Sequence, residues 1–341
     1  MSERPQRNLS LELVRATEAA ALVAARHRDS GKWDSANSAA ANAMRLVLQT
    51  IDMDGVIVVG EGEKHTAPIL FHGEMVGTGH PPAVDVAVDP IEGTPARSLG
   101  RPNALALAAL AERWSLWDPG PSLYVDEIVV GSVAREAIDL NLSPTENLHR
   151  IAEASKCSVS DLTVFVLDKP RHEGLIRELN EADARVKINS GGFIVGAMLA
   201  AMPGTGVDVM MSIGSASESV LAACALKSVD GGMQIRRVPQ SAEEESRVQA
   251  ALGKRAGQIL TEADICKSED VFLAATGITD GDLLHGVEFQ RDGVTTESLV
   301  MRARSGTIRY VRAIHRLDKL MQFSQIDYTG DGYKDMVENN G

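Results

Sequence analysis

The chain has 341 residues, 44% hydrophobic and 24% charged, with glycine and proline spread throughout. That is the profile of a soluble globular protein with one large layered domain or two ordinary ones, and it excludes a disordered or fibrous chain. A formal charge of −13, from 47 acids against 34 bases, excludes general nucleic-acid binding, and no uninterrupted apolar run reaches the ~20 residues of a bilayer span.

Near the N-terminus an apolar run is interrupted by Glu12, Arg15 and Glu18, with no small-residue cleavage site after it. This reads as an amphipathic helix rather than a signal peptide, so a cytoplasmic protein is expected. A helix over 34–50 carries the stripe Ala36, Ala39, Ala40, Ala43, Met44 and Val47 and leads into a strand, "GVIVVG", over 55–60. A second strand over 84–88 alternates valine with smaller or polar residues until "DPIEGTP" ends it. Residues 141–160 are polar and helical and suit a domain boundary. "TVFVL" from Thr163 and "VDVMMSI" from Val207 read as further strands, each followed by a helical pattern. The recurrent alternation predicts an α/β layered fold. Cys157, Cys224 and Cys266 have no paired spacing for zinc or a disulfide framework, which suits a reducing compartment; each reads as a buried or half-buried small residue.

Three strand ends deliver acids: Glu61 and Glu63, then Asp89 and Glu92, then Glu218. Strand ends collect ligands in layered α/β folds, although single acids there are commonly solvated turn residues. Converging carboxylates raise one another's pKa unless a cation neutralises them, and oxygen donors without Cys or His suit Mg²⁺ or Mn²⁺. In "DPIEGT", Asp89 and Glu92 are candidate metal ligands, and Pro90 would turn the Ile91 carbonyl inward. Gly93 and Thr94 would offer N–H groups to a phosphate. Thr94 followed by Pro95 reads as the N-cap and first residue of a helix aimed at an anion.

Beyond these residues the chain resembles the class II fructose-1,6-bisphosphatases, of the lithium-sensitive, metal-dependent sugar phosphatase superfamily. The motifs run nearly end to end: "AANAMR" (40–45), "IDMDGVIVVGEGE" (51–63), "VDVAVDPIEGT" (84–94), "NALALAAL" (103–110), "KPRHEGLIREL" (169–179), "ATGITDGDLL" (275–284) and "TTESLVMRARSGTIR" (295–309). The resemblance implies an αβαβα sandwich with a metal- and phosphate-binding domain over 1–150, a sugar-binding domain over 151–325 and a flexible acidic tail over 326–341. It implies Mg²⁺ or Mn²⁺ held by Glu61, Asp89, Glu92, Glu218 and the Ile91 carbonyl. Thr94 would position the attacked phosphate and its water, and Tyr124, Lys169, Arg171 and Arg236 would hold the sugar and the second phosphate. The implied reaction, part of gluconeogenesis, hydrolyses fructose 1,6-bisphosphate to fructose 6-phosphate with a metal-activated water and no protein nucleophile. A homodimer or homotetramer with no nucleic-acid or membrane partner is expected.

The chain departs from the family in the expected site. Asn37 stands where members have an aspartate near the metals, keeping one carbonyl oxygen without the charge. Trp33 aligns with an expected lysine. Ser190, Gly191 and Gly192 replace "DGD", whose acids contact sugar hydroxyls. Ser215 to Ser219 reword the motif "GGAPEG" around Glu218, and Pro95 removes an N–H. These changes leave two readings: a phosphatase acting on an altered or specialised sugar phosphate, or a catalytically weak relative that binds a sugar phosphate or a regulatory partner.

Lesser signals remain. Residues 327–338, "DYTGDGYKDMVE", follow the oxygen spacing of a calcium loop, with Thr329 and Lys334 against it, so a solvated terminus is the plainer reading. His172 suits either phosphate binding or a structural role, His65 reads as a loop residue, and "AEEES" (242–246) as a solvated helix start.

Overall fold

The computed structural model describes residues 8–27, 33–62, 69–92, 102–291 and 293–328. Among them, eight strands form a first sheet. Its order is Glu288–Gln290, Gly293–Arg302, Phe272–Gly277, Leu105–Glu112, Ala83–Glu92, Asp54–Val59 and Met75–Val76, with Thr307–His315 also paired to Gly293–Arg302. A second sheet of six runs Ile259–Thr261, Gly232–Arg237, Tyr124–Val130, Val209–Ser215, Thr163–Leu167 and Arg185–Asn189. The first sheet takes strands from both ends of the chain and the second from its middle.

Side-chain alternation along the strands builds the layers. On Leu105–Glu112, Ala106, Ala108 and Leu110 pack with helices Ser10–Arg26 and Trp33–Leu48, while Leu105, Leu107 and Ala109 face helices Phe193–Ala201 and Ala216–Leu226. Those two helices also meet Phe165 and Leu167 of the second sheet, whose Val164 and Val166 point outward to Leu148, Ile151 and Leu179 of helices Pro144–Ser155 and Glu173–Glu181. The result is helix, sheet, helix, sheet, helix, the expected αβαβα sandwich.

Composition explains which helices go inside. Phe193–Ala201, "FIVGAMLAA", is buried along its whole length, as suits a helix apolar on every side. Glycines permit the close approach: a Cβ at Gly196 would lie 2.4 Å from the Phe165 ring, and one at Gly214 would lie 1.9 Å from the Phe193 ring. The outer helix Pro144–Ser155 is amphipathic and begins with a capping box, in which the Ser143 hydroxyl accepts from the Glu146 N–H and the Glu146 carboxylate accepts from the Ser143 N–H.

The four strands read from the sequence begin within a few residues of Asp54–Val59, Ala83–Glu92, Thr163–Leu167 and Val209–Ser215, and Cys224 and Cys266 are buried as read. Cys157 is exposed, a correction, because it follows the left-handed cap Lys156 where the chain leaves its helix.

Candidate active site

Strand Ala83–Glu92 runs past Val88, where "DPIEGTP" was expected to end it. Asp89 lies opposite Leu107 and Glu92 opposite Leu105, so one strand uses three steps where its partner uses two. This is a β-bulge, and Pro90 sits inside it, where a missing ladder N–H is tolerated. Three residues apart on a regular strand, Asp89 and Glu92 would face opposite sides. Leu105 and Leu107 both face the inner helices, so the bulge turns both acids toward that layer. The Ile91 side chain packs in the opposite core, and its N–H donates to Asp89 Oδ1 at 3.1 Å.

Glu92 is 1% exposed. Its Oε1 accepts from the Ile194 N–H at 3.1 Å, in the first turn of Phe193–Ala201, with the Phe193 N–H contributing. Gly192 caps that helix at φ 81°, a left-handed conformation suited to glycine. Glu92 Oε2 is buried with no hydrogen-bond partner. Glu61, just beyond strand Asp54–Val59, accepts from the Asn37 side-chain amide, and Glu218 in the first turn of Ala216–Leu226 accepts from the Ser215 N–H at 3.3 Å.

Burial is the main force raising the proton affinity of all four acids. Asp89 is pushed well above the carboxylate range by burial, then by Glu218 and Glu61; Glu92 by burial, then by Glu218 and Asp89. Burial raises Glu218 to about 7, against the Ser215 N–H, Lys169 and Arg171, and it raises Glu61 against the Asn37 hydrogen bond. These are oxygen donors only, they repel one another, and one buried oxygen has no partner. A hard divalent cation relieves each condition, so the residues fit one. They are not drawn tightly around a point: among the described residues no three His, Cys, Asp or Glu side chains are close enough to hold an ion. Gly93, Thr94 and Pro95, along with Glu63 and His65, lie outside the described residues, as does the calcium-loop pattern beyond Tyr328.

Basic groups stand on the Glu218 side. Arg171 Nη2 donates to the Ile213 carbonyl at 2.8 Å, and its guanidinium lies 5.3 Å from the Tyr124 ring centre. Lys169 Nζ reaches the Ser190 carbonyl at 3.5 Å. Arg236 differs: it pairs with Asp126 at 3.2 Å, on the sheet face that farther along carries Ile128 toward the outer helices.

Four residues have roles that the acid motifs did not reveal. His172 is 1% exposed, its Nδ1 bonded to the Leu167 carbonyl at 2.7 Å and its Nε2 accepting the Ile213 N–H at 2.9 Å. Both ring nitrogens are used, so the role is structural. Glu244, read as solvated, is 1% exposed and accepts the Leu123 N–H at 2.8 Å and the Tyr124 N–H at 3.2 Å. It fixes the start of the strand that carries Tyr124. Glu127 and Ser219 form a third buried contact, between the second sheet and the inner layer. An acid within the apolar pattern "YVDEIVV" was its available signal.

Buried carboxylates near a lysine and an arginine, on an αβαβα sandwich, fit the class of metal-dependent sugar phosphatases. Residues 7–315 match the family model of the bacterial, glpX-encoded fructose-1,6-bisphosphatases, and the chain belongs to that family. It is 40% identical over 326 residues to fructose-1,6-bisphosphatase 1 class 2 of Escherichia coli strain K12, a match covering 92% of this chain and 97% of the relative. The class 2 fructose-1,6-bisphosphatases of Escherichia coli O6:H1 and Shigella flexneri match at the same 40% identity and the same coverage.

Proposed function

We propose that the protein is a divalent-metal-dependent phosphatase that hydrolyses a phosphate monoester of a sugar bisphosphate, by default fructose 1,6-bisphosphate to fructose 6-phosphate. The observation that carries this reading is the nearly full-length family match in a chain that retains Glu61, Asp89, Glu92, Thr94 and Glu218. In this reading those four acids, the Ile91 carbonyl and the Asn37 side-chain oxygen hold Mg²⁺ or Mn²⁺. The cation supplies Lewis-acid polarisation of the phosphoryl group and a low-pKa water. Gly93 and Thr94 seat the attacked phosphate. Lys169 and Arg171 bind the second phosphate, Arg through its planar fork, and Tyr124 the sugar; Arg236, expected to join them, is left out because it pairs with Asp126 on the outer sheet face. Ser190 and Gly192 line the sugar end, where the loss of two acids favours an altered sugar. A cytoplasmic homodimer or homotetramer completes the proposal. No helix among the described residues is long and apolar enough to cross a membrane.

The Asn37 amide hydrogen on Glu61 supports a second reading, sugar-phosphate binding without turnover, because it occupies a carboxylate oxygen that a cation would need. Phosphate release from a panel of sugar bisphosphates, with Mg²⁺ or Mn²⁺, separates the two. Turnover of fructose 1,6-bisphosphate is expected; binding with no release on any substrate would favour the second.

A further inference from the structure

Glu127 lies within strand Tyr124–Val130, 1% exposed, and faces the inner layer as Val125 and Val129 do. Its Oε2 accepts a hydrogen bond from Ser219 Oγ, which also reaches the Ser215 carbonyl at 3.3 Å. Glu127 Oε1 is buried without a partner. Burial pushes this carboxyl up to about 8. A buried acid with one oxygen unsatisfied does little for stability, so its presence asks for another role.

Ser219 directly follows Glu218 at the start of helix Ala216–Leu226. Successive helical residues are about 100° apart around the axis. Pinning Ser219 to the sheet therefore fixes the helix's rotation, and the rotation fixes the direction in which Glu218 leaves it. The capping contact from Glu218 to the Ser215 N–H reaches only the last residue of strand Val209–Ser215, where the helix begins. The tie from Ser219 to Glu127 adds a second anchor to the sheet, on the neighbouring strand that also presents Tyr124.

We propose that Glu127, acting through Ser219, is a positioning residue for Glu218, holding that carboxylate toward the metal-binding acids. The inference rests on the metal-dependent reading above. Full-length wild-type protein, Ser219→Ala, Glu127→Gln and Glu127→Ala are titrated with Mn²⁺, free Mn²⁺ being followed by electron paramagnetic resonance, with unfolding midpoints measured alongside. Ser219→Ala and Glu127→Ala are expected to weaken Mn²⁺ binding by about 10-fold. Glu127→Gln, whose amide oxygen still accepts from Ser219, stays within about threefold of wild type. Unchanged Mn²⁺ binding in Ser219→Ala, with or without a shifted midpoint, overturns the positioning role alone. Wild-type protein that binds no Mn²⁺ overturns this inference and the functional reading together.

Discussion

Helix Pro144–Ser155 on an outer face and helix Phe193–Ala201 between the sheets are anchored by opposite means. Helix Pro144–Ser155 buries one face and closes its N-terminus with Ser143 and Glu146, both near the surface. Helix Phe193–Ala201 buries every residue and meets Glu92, an acid from another strand with one oxygen on the helix and one left over. Glu127 repeats the pattern at Ala216–Leu226 through Ser219. Local caps stabilise a helix without involving the rest of the fold. Buried acids tie helices to distant strands at a desolvation penalty, so the layer holding most of them is where binding chemistry is to be sought.

The sharpest break in this comparison is Glu92→Gln. Phosphate release should fall by roughly a thousandfold, since a charge in the metal-binding set is gone. Chemical denaturation of the metal-free protein at pH 8 should show equal or higher stability, because no charge is left to bury. Gly214→Ala tests the packing side: its Cβ would lie 1.9 Å from the Phe193 ring, and a loss of about 3 kcal/mol in denaturant unfolding is expected.

Glu18, on helix Ser10–Arg26 outside the first sheet, extends the comparison to an outer layer. It accepts from Thr296 Oγ1 at 3.2 Å, lies 3.7 Å from His315 Nε2, and burial raises it from 4.5 to about 7. Below pH 4.5 both folded and unfolded chains hold this proton and it contributes nothing. As pH rises from 4.5 to 7 the unfolded chain ionises first, so the fold loses stability, fully by pH 8. Glu18→Gln should therefore stabilise the protein by about 2–3 kcal/mol at pH 8 and by almost nothing near pH 4.5. Unfolding curves at the two pH values check this. Ser143→Ala, an ordinary cap loss on the outer layer, should lower stability by about 1 kcal/mol with phosphate release unchanged.

Sequence carried the elements well where alternation or an apolar stripe was strong, as in "TVFVL", observed as Thr163–Leu167, or the helix Trp33–Leu48. It ended strand Ala83–Glu92 too early, at Val88, because whether the ladder continues depends on pairing with Leu105 and Leu107, which no local window contains. The acids at strand ends were legible by position, and the Asn37 departure falls on a direct contact with Glu61. Glu244 was half legible: the Ser241-x-x-Glu wording announces a cap, but not burial against a strand start 120 residues earlier. Glu127 was missed because a search for acids at strand ends passes over one inside a strand.

The position of Phe272–Gly277 has a consequence for synthesis. This late segment lies inside the first sheet, between Leu105–Glu112 and Gly293–Arg302, whereas the second sheet is drawn from one continuous stretch. As the chain leaves the ribosome, the second sheet has all its strands first, and Leu105–Glu112 waits with an open apolar edge that invites association with other chains. A nascent chain stalled before residue 272 should be protease-resistant across 124–261 and sensitive across 83–112, and uniform resistance in both would refute that order of assembly.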